Sequence, residues 1–416
     1  MVDDDGRSLV DPACYASDGY PHALWTRLRN ESPVQQFAPE GWPAFWAITK
    51  HADIREISKQ PEIFLNEPGM TIVDSETLQR QQDGSAPQMK TIINMDPPEH
   101  RKFRAVASGY FTPRSLGRLD GLVDETARKV VDALGDEGEC DFVTEVSSIY
   151  PLKVIARILG VPEEDEPFLL KVTNELFGSN DPEFQRSGDR QAHVRSLFMD
   201  FYQYFTKVME DRRKRPTDDL ASVIANAKVD GKPMGEIETL GHCLIVFTAG
   251  HETTRGAIGG GLEALIERPE QRERWAKDLS LTKLATDEIM RFVTPVNTMM
   301  RTAAADYELR GQTIRKGDRL VLFYASANRD EEAFDAPFEL RLDRHPNPHL
   351  AFGIGEHFCL GAHLARKTSG RLFEELVKRL ASVELVAPPQ HVASNLVPGI
   401  KHMRIRYRMR RSAAAA

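Results

Sequence analysis

The sequence is poor in cysteine and has no long apolar run. Its four cysteines lie far apart and no two have C-x-x-C spacing, so neither a disulfide framework nor a zinc site is predicted. No apolar run approaches the ~20 residues that a membrane-spanning helix needs. The amino end, MVDDDGRSLV, has neither the basic region nor the apolar region of a secretory signal. These absences favour a soluble protein of the reducing cytoplasm.

Charge and composition are those of an ordinary soluble protein. The formal net charge of −8 gives no electrostatic support for nucleic-acid binding. The hydrophobic fraction of 41% and the charged fraction of 28% are typical of a globular chain. A chain of 416 residues is long enough for a large core, and length alone suggests two or three domains.

A glycine-rich stretch near the carboxyl end, FGIGEHFCLG, surrounds Cys359. Gly353 and Gly355 precede the thiol and Gly361 follows it, which permits a tight turn and the close approach of a large flat group. Amide N–H groups in such a turn, and the start of the helical pattern that follows, stabilise a thiolate. A lone thiolate of this kind is predicted to bind one metal at an open coordination position. The alternative is a buried free cysteine in a glycine-rich turn.

Residues 236–267 have a helical pattern and are predicted to form a helix about 45 Å long. Each glycine inside a helix costs roughly 1 kcal/mol relative to alanine, so the several glycines of this segment need a reason. Close approach of a flat ligand at Gly250, and of neighbouring helices at the triple glycine 259–261, would supply one. Thr253 is predicted to donate a hydrogen bond to the carbonyl of Ala249 and so to distort the helix.

Glu252 lies beside Thr253 in this segment. An acid next to a hydroxyl is the pair that a proton relay needs. Taken alone, a Glu-Thr pair on a helix most often belongs to an exposed face. The neighbouring Phe247, Ala249 and Gly250 make this face apolar and narrow, which favours a functional pair.

Two further pairs of side chains, both charged or potentially charged, have helical spacing. Asp96 is predicted to cap a helix on which His100 and Arg104 are neighbours, four residues apart. Two such basic groups repel unless an anion lies between them; the alternative is a pair of solvated side chains. Glu288 and Arg291 face each other on another predicted helix, where most such pairs lie on the surface and contribute a few tenths of a kcal/mol.

These motifs together resemble those of one family. AGHETT at 249–254 matches the oxygen-activation motif of the cytochrome P450 family, the haem-thiolate monooxygenases, and His-x-x-x-Arg at 100–104 and Glu-x-x-Arg at 288–291 match two further motifs. The resemblance covers nearly the whole chain. It implies a mainly α fold with small β-sheets, in a single domain over residues 1–416, with a long central helix over the haem. The positions that match the family's haem-binding signature are Phe352, Gly353, Gly355, His357, Cys359 and Gly361.

Within that fold, Val34–Ile48 and Asp306–Tyr324 are each expected to form a β-hairpin. Leu122–Ala381 is expected to be mostly helical, and residues 413–416 to be a disordered tail. Residues 66–90 have little periodicity and are expected to form a long loop, which in the resembled family lies over the haem and shapes substrate entry.

The resemblance also implies a haem b cofactor with the Cys359 thiolate as axial ligand, and a role for Thr253 and Glu252 in delivering protons during O2 activation. Arg344 would complete a buried structural ion pair with Glu288 and Arg291. The haem propionates would be neutralised by His100, Arg104, Arg301 and His357. Further haem contacts would come from Phe352, Gly353, Ala249, Gly250 and Gly361. The substrate pocket would be lined by Val246, Ala249, Val296, Asn297, Met299 and Leu396.

The implied activity is insertion of one oxygen atom from O2 into a C–H bond of a small hydrophobic substrate. Since the sequence contains no reductase domain, flavin motif or iron–sulfur cysteine set, electrons would come from a ferredoxin with its ferredoxin reductase. A monomer with no nucleic-acid or membrane partner is expected. A basic landing site for the ferredoxin on the cysteine side would use Arg101, Lys102, Arg114, Arg366 and Lys367.

Substrate identity carries over less directly than fold. Segments such as YPLKVIARILGVPEEDEP and SANRDEEAF resemble the bacterial terpineol-hydroxylating enzymes, which favours a monoterpene or other terpenoid, an alkylbenzene or an alicyclic compound. The alternatives are a steroid, a fatty acid, or a peroxide-driven haem enzyme, which would be expected to lack the Glu252-Thr253 pair. A cysteine hydrolase using Cys359 and His357 has no evident third group, and a haem-binding sensor would not need Glu252-Thr253.

Overall fold

The computed structural model describes residues 5–85, 90–185 and 190–410, and α-helices predominate in them. The predicted mainly α fold with small β-sheets is confirmed. No helix of the described ranges is long and apolar enough to cross a membrane. The predicted tail at 413–416 lies outside these ranges. The helices are α1 (Pro12–Asp18), α2 (His22–Glu31), α3 (His51–Ser58), α4 (Ser75–Gln82), α5 (Glu99–Ser108), α6 (Pro113–Leu116), α7 (Asp120–Asp132), α8 (Ile149–Leu159), α9 (Glu166–Phe177), α10 (Arg190–Lys214), α11 (Leu220–Ala225), α12 (Glu236–Ile266), α13 (Pro269–Lys277), α14 (Thr282–Val293), α15 (Tyr324–Ala327) and α16 (Ala362–Arg379).

The strands form a five-stranded sheet and several smaller sheets. They are β1 (Val34–Phe37), β2 (Phe45–Ile48), β3 (Phe64–Leu65), β4 (Glu137–Asp141), β5 (Lys228–Val229), β6 (Lys232–Pro233), β7 (Thr298–Ala303), β8 (Tyr307–Leu309), β9 (Gln312–Ile314), β10 (Arg319–Phe323), β11 (Leu380–Leu385), β12 (Gln390–His391), β13 (Ile400–His402) and β14 (Arg404–Met409). The larger sheet has the order β1-β2-β10-β7-β3. In it β1 and β2 form the hairpin predicted at 34–48, and Arg301 of β7 pairs with Leu320 of β10.

The hairpin predicted over 306–324 is present only in its first half. β8 and β9 pair across a turn at Gly311, whose φ of 75° favours glycine. β10 instead enters the five-stranded sheet, parallel to β2 and antiparallel to β7. Four of the five residues of β10 are buried, so both faces of this strand must pack against other elements. An isolated two-stranded hairpin does not provide such packing.

The predicted long helix is α12, which has 31 residues and runs through the largest hydrophobic core. It packs against α8, α14 and α16. A Cβ on Gly261 would lie 2.5 Å from Cζ of Phe373 in α16, and one on Gly260 would lie 2.8 Å from Cγ1 of Val293 in α14. Gly260 and Gly261 therefore have the predicted reason, since a larger residue would keep these helices from approaching so closely, whereas a Cβ on Gly259 would meet its nearest neighbour only at 3.7 Å.

The start of α5 differs from the prediction. The helix begins at Glu99, and the Asp96 carboxylate does not cap it. That carboxylate accepts hydrogen bonds from the N–H groups of Asn66 at 2.8 Å and Glu67 at 3.1 Å. The helix starts only after Pro97 and Pro98, neither of which has an N–H group to donate, so the Asp96 side chain binds another loop.

The long loop expected at 66–90 contains a helix that the sequence pattern did not reveal. The helix is α4, and the Asp74 carboxylate caps it by accepting a hydrogen bond from the Thr77 N–H at 2.8 Å. Its side chains are half-buried or exposed, which explains why no apolar periodicity marked it. Residues 86–89 lie outside the described ranges.

Candidate active site

Cys359 lies on a tight loop that leads into α16. Gly353 and Gly355 have φ angles of 65° and 77°, in the left-handed region that favours glycine. A Cβ on Gly355 would also lie 2.3 Å from the carbonyl oxygen of Ser58. The Cys359 N–H donates to the carbonyl of Phe352 at 2.9 Å. These glycines are therefore required by the turn that holds the thiol.

The surroundings of Cys359 act on its charge in opposite directions. Burial raises the pKa of the Cys359 thiol, while a hydrogen bond from the Gly361 N–H and the nearby Arg104 and Arg366 oppose that rise. The helix start and the amide predicted to favour a thiolate are present, but burial outweighs them. A metal ion bound to the sulfur would supply the missing stabilisation, because a coordinating thiol is deprotonated outright.

A large cavity separates the cysteine loop from the centre of α12. Its volume is about 1520 Å³, including space open to solvent. The lining contains Cys359 and all the predicted cofactor contacts on both sides, namely Phe352, Gly353, Gly361, Ala249 and Gly250.

Two histidines of the cavity wall have an unsatisfied ring nitrogen. The rings of His100 and His357 lie 4.0 Å apart between centroids, and Nε2 of each is buried without a hydrogen-bond partner in the described residues. Burial lowers the pKa of both, to about 2 for His357, where the cationic Arg301 and Arg104 add to the effect. An anion placed in the cavity would reverse these shifts and satisfy both nitrogens.

Arg104 and Arg301 line the same cavity. Arg104 Nη2 donates to the carbonyl of Phe358 at 2.6 Å, and Arg301 Nη1 donates to the carbonyl of Met300 at 2.8 Å. Within the described ranges no carboxylate forms an ion pair with either guanidinium. Together with the two imidazoles they form a buried basic region that suits a ligand with more than one carboxylate.

The centre of α12 contains the hydrogen bond predicted for Thr253. Its hydroxyl donates to the carbonyl of Ala249 at 2.7 Å, the next hydroxyl, of Thr254, donates to that of Gly250 at 3.0 Å, and both threonines line the cavity. The structure gives a second explanation for the glycine at position 250, which the sequence did not suggest. A Cβ there would lie 3.0 Å from Cδ1 of Ile155, so a packed helix as well as the cavity requires a small residue.

Glu252 does not line the cavity, although it precedes Thr253. Its side chain is fully buried and forms an ion pair with Arg255, three residues further along α12. Burial raises the pKa of Glu252, and the guanidinium opposes that rise. The predicted acid and hydroxyl are therefore adjacent in sequence but face different surroundings. Arg255 is a residue that the sequence analysis missed.

Glu288 and Arg291 form a buried pair and not a surface pair. Arg291 donates to both oxygens of Glu288, at 2.7 and 2.8 Å, and Nε of Arg344 lies 3.0 Å from each oxygen. Asn347 and the Arg341 N–H also donate to Glu288. The resemblance implied this triad, and the structure contains it in the segment that precedes the cysteine loop.

Comparison with known proteins identifies the family. A sequence model described as Cytochrome P450 matches residues 48–391. The chain belongs to the cytochrome P450 family. It is 41% identical over 415 residues to Cytochrome P450-terp from Pseudomonas sp, covering 96% of each chain. It is 36% identical over 412 residues to Steroid C26-monooxygenase from Mycobacterium tuberculosis, covering 97% of this chain and 93% of the relative. The crystal structure of CYP108D1 from Novosphingobium aromaticivorans matches with a TM-score of 0.89 and 37% identity, covering 99% of this chain and 100% of that one.

These relationships make the protein a cytochrome P450 monooxygenase with a single-domain P450 fold. The family implies a haem-thiolate cofactor. The residues around the cavity fit that group, because a single cysteine lies on one side and a groove of small α12 residues on the other. The unsatisfied imidazole nitrogens of His100 and His357 fit its propionates, as do the guanidiniums of Arg104 and Arg301, which form no ion pair with a carboxylate of the described residues.

The substrate part of this P450 cavity agrees with four of the six predicted residues. Val246, Ala249, Val296 and Met299 line it, whereas Asn297 and Leu396 do not. The Asn297 N–H donates to the carbonyl of Leu396 at 2.8 Å, and the Asn297 side chain donates to a neighbouring carbonyl. The two residues therefore hold two segments of the wall together. Ile92, Ile93, Asn66 and Ile245 were not predicted but also line the cavity.

Most of the cations expected to receive an electron donor are engaged within the chain. Ion pairs join Arg101 to Glu356, Lys102 to Asp230, Arg366 to Asp287 and Lys367 to Asp120. Arg114 is exposed and forms no such pair in the described ranges. A docking partner would therefore compete with internal carboxylates at four of the five positions.

Proposed function

We propose that this P450 hydroxylates a small hydrophobic substrate of the terpenoid class, with haem b held by Cys359. The observation that most supports this proposal is the apolar lining of the cavity between α12 and β7. Its apolar side chains include those of Ile245, Val246, Val296 and Met299. Such a lining recognises shape and excludes water but offers little to a charged substrate. The similarity to Cytochrome P450-terp supports the terpenoid class over other apolar compounds.

When bound, the haem would supply O2 activation and transfer of one oxygen atom to a C–H bond. Cys359 would hold the haem iron through its sulfur, with the Gly361 N–H and Arg104 stabilising the sulfur anion. The propionates would be held by His100, Arg104, Arg301 and His357.

Protons would reach the cavity through Thr253. Its hydroxyl holds a proton at Oγ1, which it now donates to the Ala249 carbonyl, and it lies on the cavity wall. Glu252, the neighbouring acid, would replace that proton from the other side of the helix. The apolar neighbours would keep other water away, so that protons arrive by this route only.

The haem ligand is tested by replacing Cys359 with serine. We expect the reduced, carbon monoxide-treated protein to lose the red-shifted Soret band of a thiolate ligand and to lose turnover. Cys14→Ser, a cysteine outside the cavity, is the control and should keep both. A variant at 359 that retained the band and activity would refute the assignment.

Thr253→Ala tests proton delivery. We expect reducing equivalents to be diverted from product to peroxide or water, measured as product formed per electron pair consumed. Thr248→Ala is a matched control, because the Thr248 hydroxyl makes the same bond to the carbonyl four residues back, at 2.7 Å, but does not line the cavity. Equal coupling in both variants would rule out the role of Thr253.

The substrate class is tested by titrating the ferric protein with monoterpenes, alkylbenzenes, steroids and fatty acids, following water displacement in the visible spectrum. Monoterpenes are expected to bind best, and Met299→Ala to weaken them. Steroids are the second candidate because a relative is a Steroid C26-monooxygenase. Tighter binding of a steroid than of any monoterpene would replace the proposal with that candidate, and full turnover with peroxide alone would favour a peroxide-driven enzyme.

Electrons are proposed to come from a ferredoxin and its reductase, with the P450 acting as a monomer. Charge reversal at Arg114 together with Lys102 is expected to slow the ferredoxin-supported rate and to weaken its dependence on salt. Arg404→Glu, at an exposed position of β14 that does not line the cavity, is the control. An unchanged rate and salt dependence would reject this docking surface.

A further inference from the structure

The carboxylate of Glu356 joins the cysteine loop to α5. Glu356 Oε1 accepts a hydrogen bond from Nε of Arg101 at 2.8 Å and lies 3.3 Å from Nδ1 of His100. Its second oxygen, Oε2, accepts a hydrogen bond from Nη2 of Arg101 at 3.2 Å. One oxygen of Glu356 is therefore shared between a guanidinium and an imidazole that are neighbours in the sequence of α5.

Solvent exposure decreases along these three side chains. It falls from 60% for Arg101 to 18% for Glu356 and 1% for His100. His100 lines the cavity, and its Nε2 is buried without a hydrogen-bond partner in the described residues. Glu356 therefore contacts one nitrogen of an imidazole in the cavity wall whose second nitrogen is unsatisfied.

The contact with Glu356 determines how many protons the His100 ring needs. An ionised carboxylate only accepts hydrogen bonds, so Nδ1 must carry a proton to bind Glu356. Nε2 must also carry a proton to bind a haem propionate, which is another carboxylate. A ring with both protons is a cation, whereas without Glu356 a neutral ring could bind the propionate through Nε2 alone.

Other groups around His100 act on its charge in both directions. Burial has the largest effect and lowers the pKa of His100, and Arg104 lowers it further. Glu356 and Asp96 raise that pKa. The ring of His357 lies 4.0 Å away between centroids and is uncharged at neutral pH, because burial lowers its own pKa to about 2. Among the described residues, the carboxylate within hydrogen-bond distance of the His100 ring is that of Glu356.

We propose that Glu356 is a positioning residue that holds His100 as an imidazolium facing the haem propionates, and so couples the reduction potential of the bound haem to a proton on His100. The inference rests on the proposed function, in which His100 neutralises a propionate. A cation beside the propionates favours the ferrous haem, which carries one electron more than the ferric haem. Arg101 competes for the same oxygen of Glu356, so its removal should strengthen the effect of Glu356 on His100.

The first test reads the charge of His100 directly. Nitrogen NMR of labelled histidine in the carbon monoxide-bound ferrous holoprotein follows the ring across pH, and His100→Gln identifies its signals by removing them. We expect Glu356→Gln to lower the titration midpoint by about one pH unit or more. Arg101→Gln should raise it, because Glu356 then binds His100 alone. Glu99→Gln, which removes a carboxylate of α5 that pairs with Lys90, is the control and should leave the midpoint unchanged.

The second test measures the reduction potential of the haem by spectroelectrochemistry at a series of pH values. The potential should fall as His100 loses its proton. The pH at which this fall begins should move downward in Glu356→Gln and upward in Arg101→Gln. Equal NMR midpoints in wild type and both variants, or shifts of the same sign in both, would overturn the inference. NMR midpoints that move while the potential profile stays fixed would also overturn it, because the haem would then not sense this proton.

A further variant keeps the proposal testable if Glu356→Gln does not bind haem. Arg101→Gln leaves Glu356 and His100 in place, so an upward shift of its midpoint supports the inference and an unchanged midpoint overturns it. Failure of the proposed function would look different. If His100→Gln leaves haem affinity and reduction potential unchanged, the ring does not contact a propionate, and the proposed haem contact of His100 is rejected whatever the Glu356 variants show.

Discussion

Two Glu-x-x-Arg pairs lie buried in this P450, one in α14 and one in α12. In α14, Glu288 accepts hydrogen bonds from Arg291, Arg344, Asn347 and a backbone N–H, and Arg291 donates to the carbonyls of Asn328, Pro337 and Glu339. In α12, Glu252 and Arg255 pair with each other, and within the described residues Glu252 Oε2 and Arg255 Nε are buried without a hydrogen-bond partner. Spacing and burial are the same, and the number of surrounding partners differs.

This difference in the number of partners distinguishes a rigid structural ion pair in α14 from an ion pair in α12 that can open more easily. A buried network with every group satisfied is rigid, because any movement leaves a charged group unpaired. A pair with unsatisfied atoms loses less when it opens and can accept a water or a proton. The α14 network supports the segment leading into the cysteine loop, whereas the α12 pair lies behind the wall next to Thr253.

The largest effect is expected at the satisfied pair. Glu288→Gln should lower the free energy of unfolding by about 3–5 kcal/mol, because it leaves two buried guanidiniums without a counter-charge. Denaturant unfolding and haem content measure the loss. Asp335→Asn, which removes an exposed pair with Arg341, should change stability by less than about 0.5 kcal/mol. Equal stability of Glu288→Gln and this control would show that the α14 network is not structural.

The tolerance of α12 to a larger residue should differ between its centre, at Gly250, and its carboxyl-terminal part, at Gly261. Gly261→Ala places a Cβ 2.5 Å from Phe373 and 2.8 Å from Ile289, so we expect a loss of about 1–3 kcal/mol in unfolding experiments. Gly250→Ala meets only the mobile end of Ile155, at 3.0 Å, and alanine is the better helix former by roughly 1 kcal/mol. Its stability should stay within about 1 kcal/mol of wild type. The comparison fails if Gly250→Ala is the more destabilising of the two.

A third charged cluster should show a modest dependence on pH. His402 Nδ1 lies 2.5 Å from Asp141 and Nε2 lies 2.7 Å from Glu183, and these two carboxylates raise the pKa of His402 against the effect of its partial burial. Because the folded pKa is raised, the stabilisation is fully present below the unfolded pKa of about 6.5 and is lost as pH rises through the folded value. On the acid side it is lost only as pH falls through the lowered pKa values of Asp141 and Glu183.

The half-exposed position of His402 keeps the effect below about 1 kcal/mol. His402→Gln should therefore be less stable than wild type near pH 6 and approach it near pH 9, as measured by thermal unfolding in matched buffers. A difference that grows with pH would contradict the assignment of a protonated His402.

The smallest effect is expected when both members of the α12 pair are made neutral. Glu252→Leu with Arg255→Met should change the free energy of unfolding by less than about 1 kcal/mol, since replacing a buried pair as a whole by apolar residues of similar volume is often neutral. Each single change should be more destabilising than the double. The corresponding double change at Glu288 and Arg291 should remain strongly destabilising, because it strands the carbonyls of several loops. A double-mutant cycle at each pair would show whether the two differ.

Local features of the site were predictable from sequence. The turn around Cys359 follows from Gly353 and Gly355, and the Thr253 bond follows from a hydroxyl four residues after a carbonyl. Asp96 was misassigned, because its partner groups at Asn66 and Glu67 lie far away in the chain. Asn297 and Leu396 were predicted to line the pocket but bind each other, which no pattern within either segment reveals.

The amino-acid sequence by itself determined where the cysteine turn, the long helix and the Thr253 hydrogen bond form, because each depends on residues a few positions apart. Only the tertiary structure decided which of the two Glu-x-x-Arg pairs is held by a network of further hydrogen bonds and which has buried polar atoms without a hydrogen-bond partner. The physical reason is that a buried charge is satisfied by groups distant in the chain, such as Asn328, 37 residues beyond Arg291, and Asn347, 59 residues beyond Glu288. For Glu252 and Arg255 the fold brings no such donor or acceptor to the remaining atoms within the described ranges.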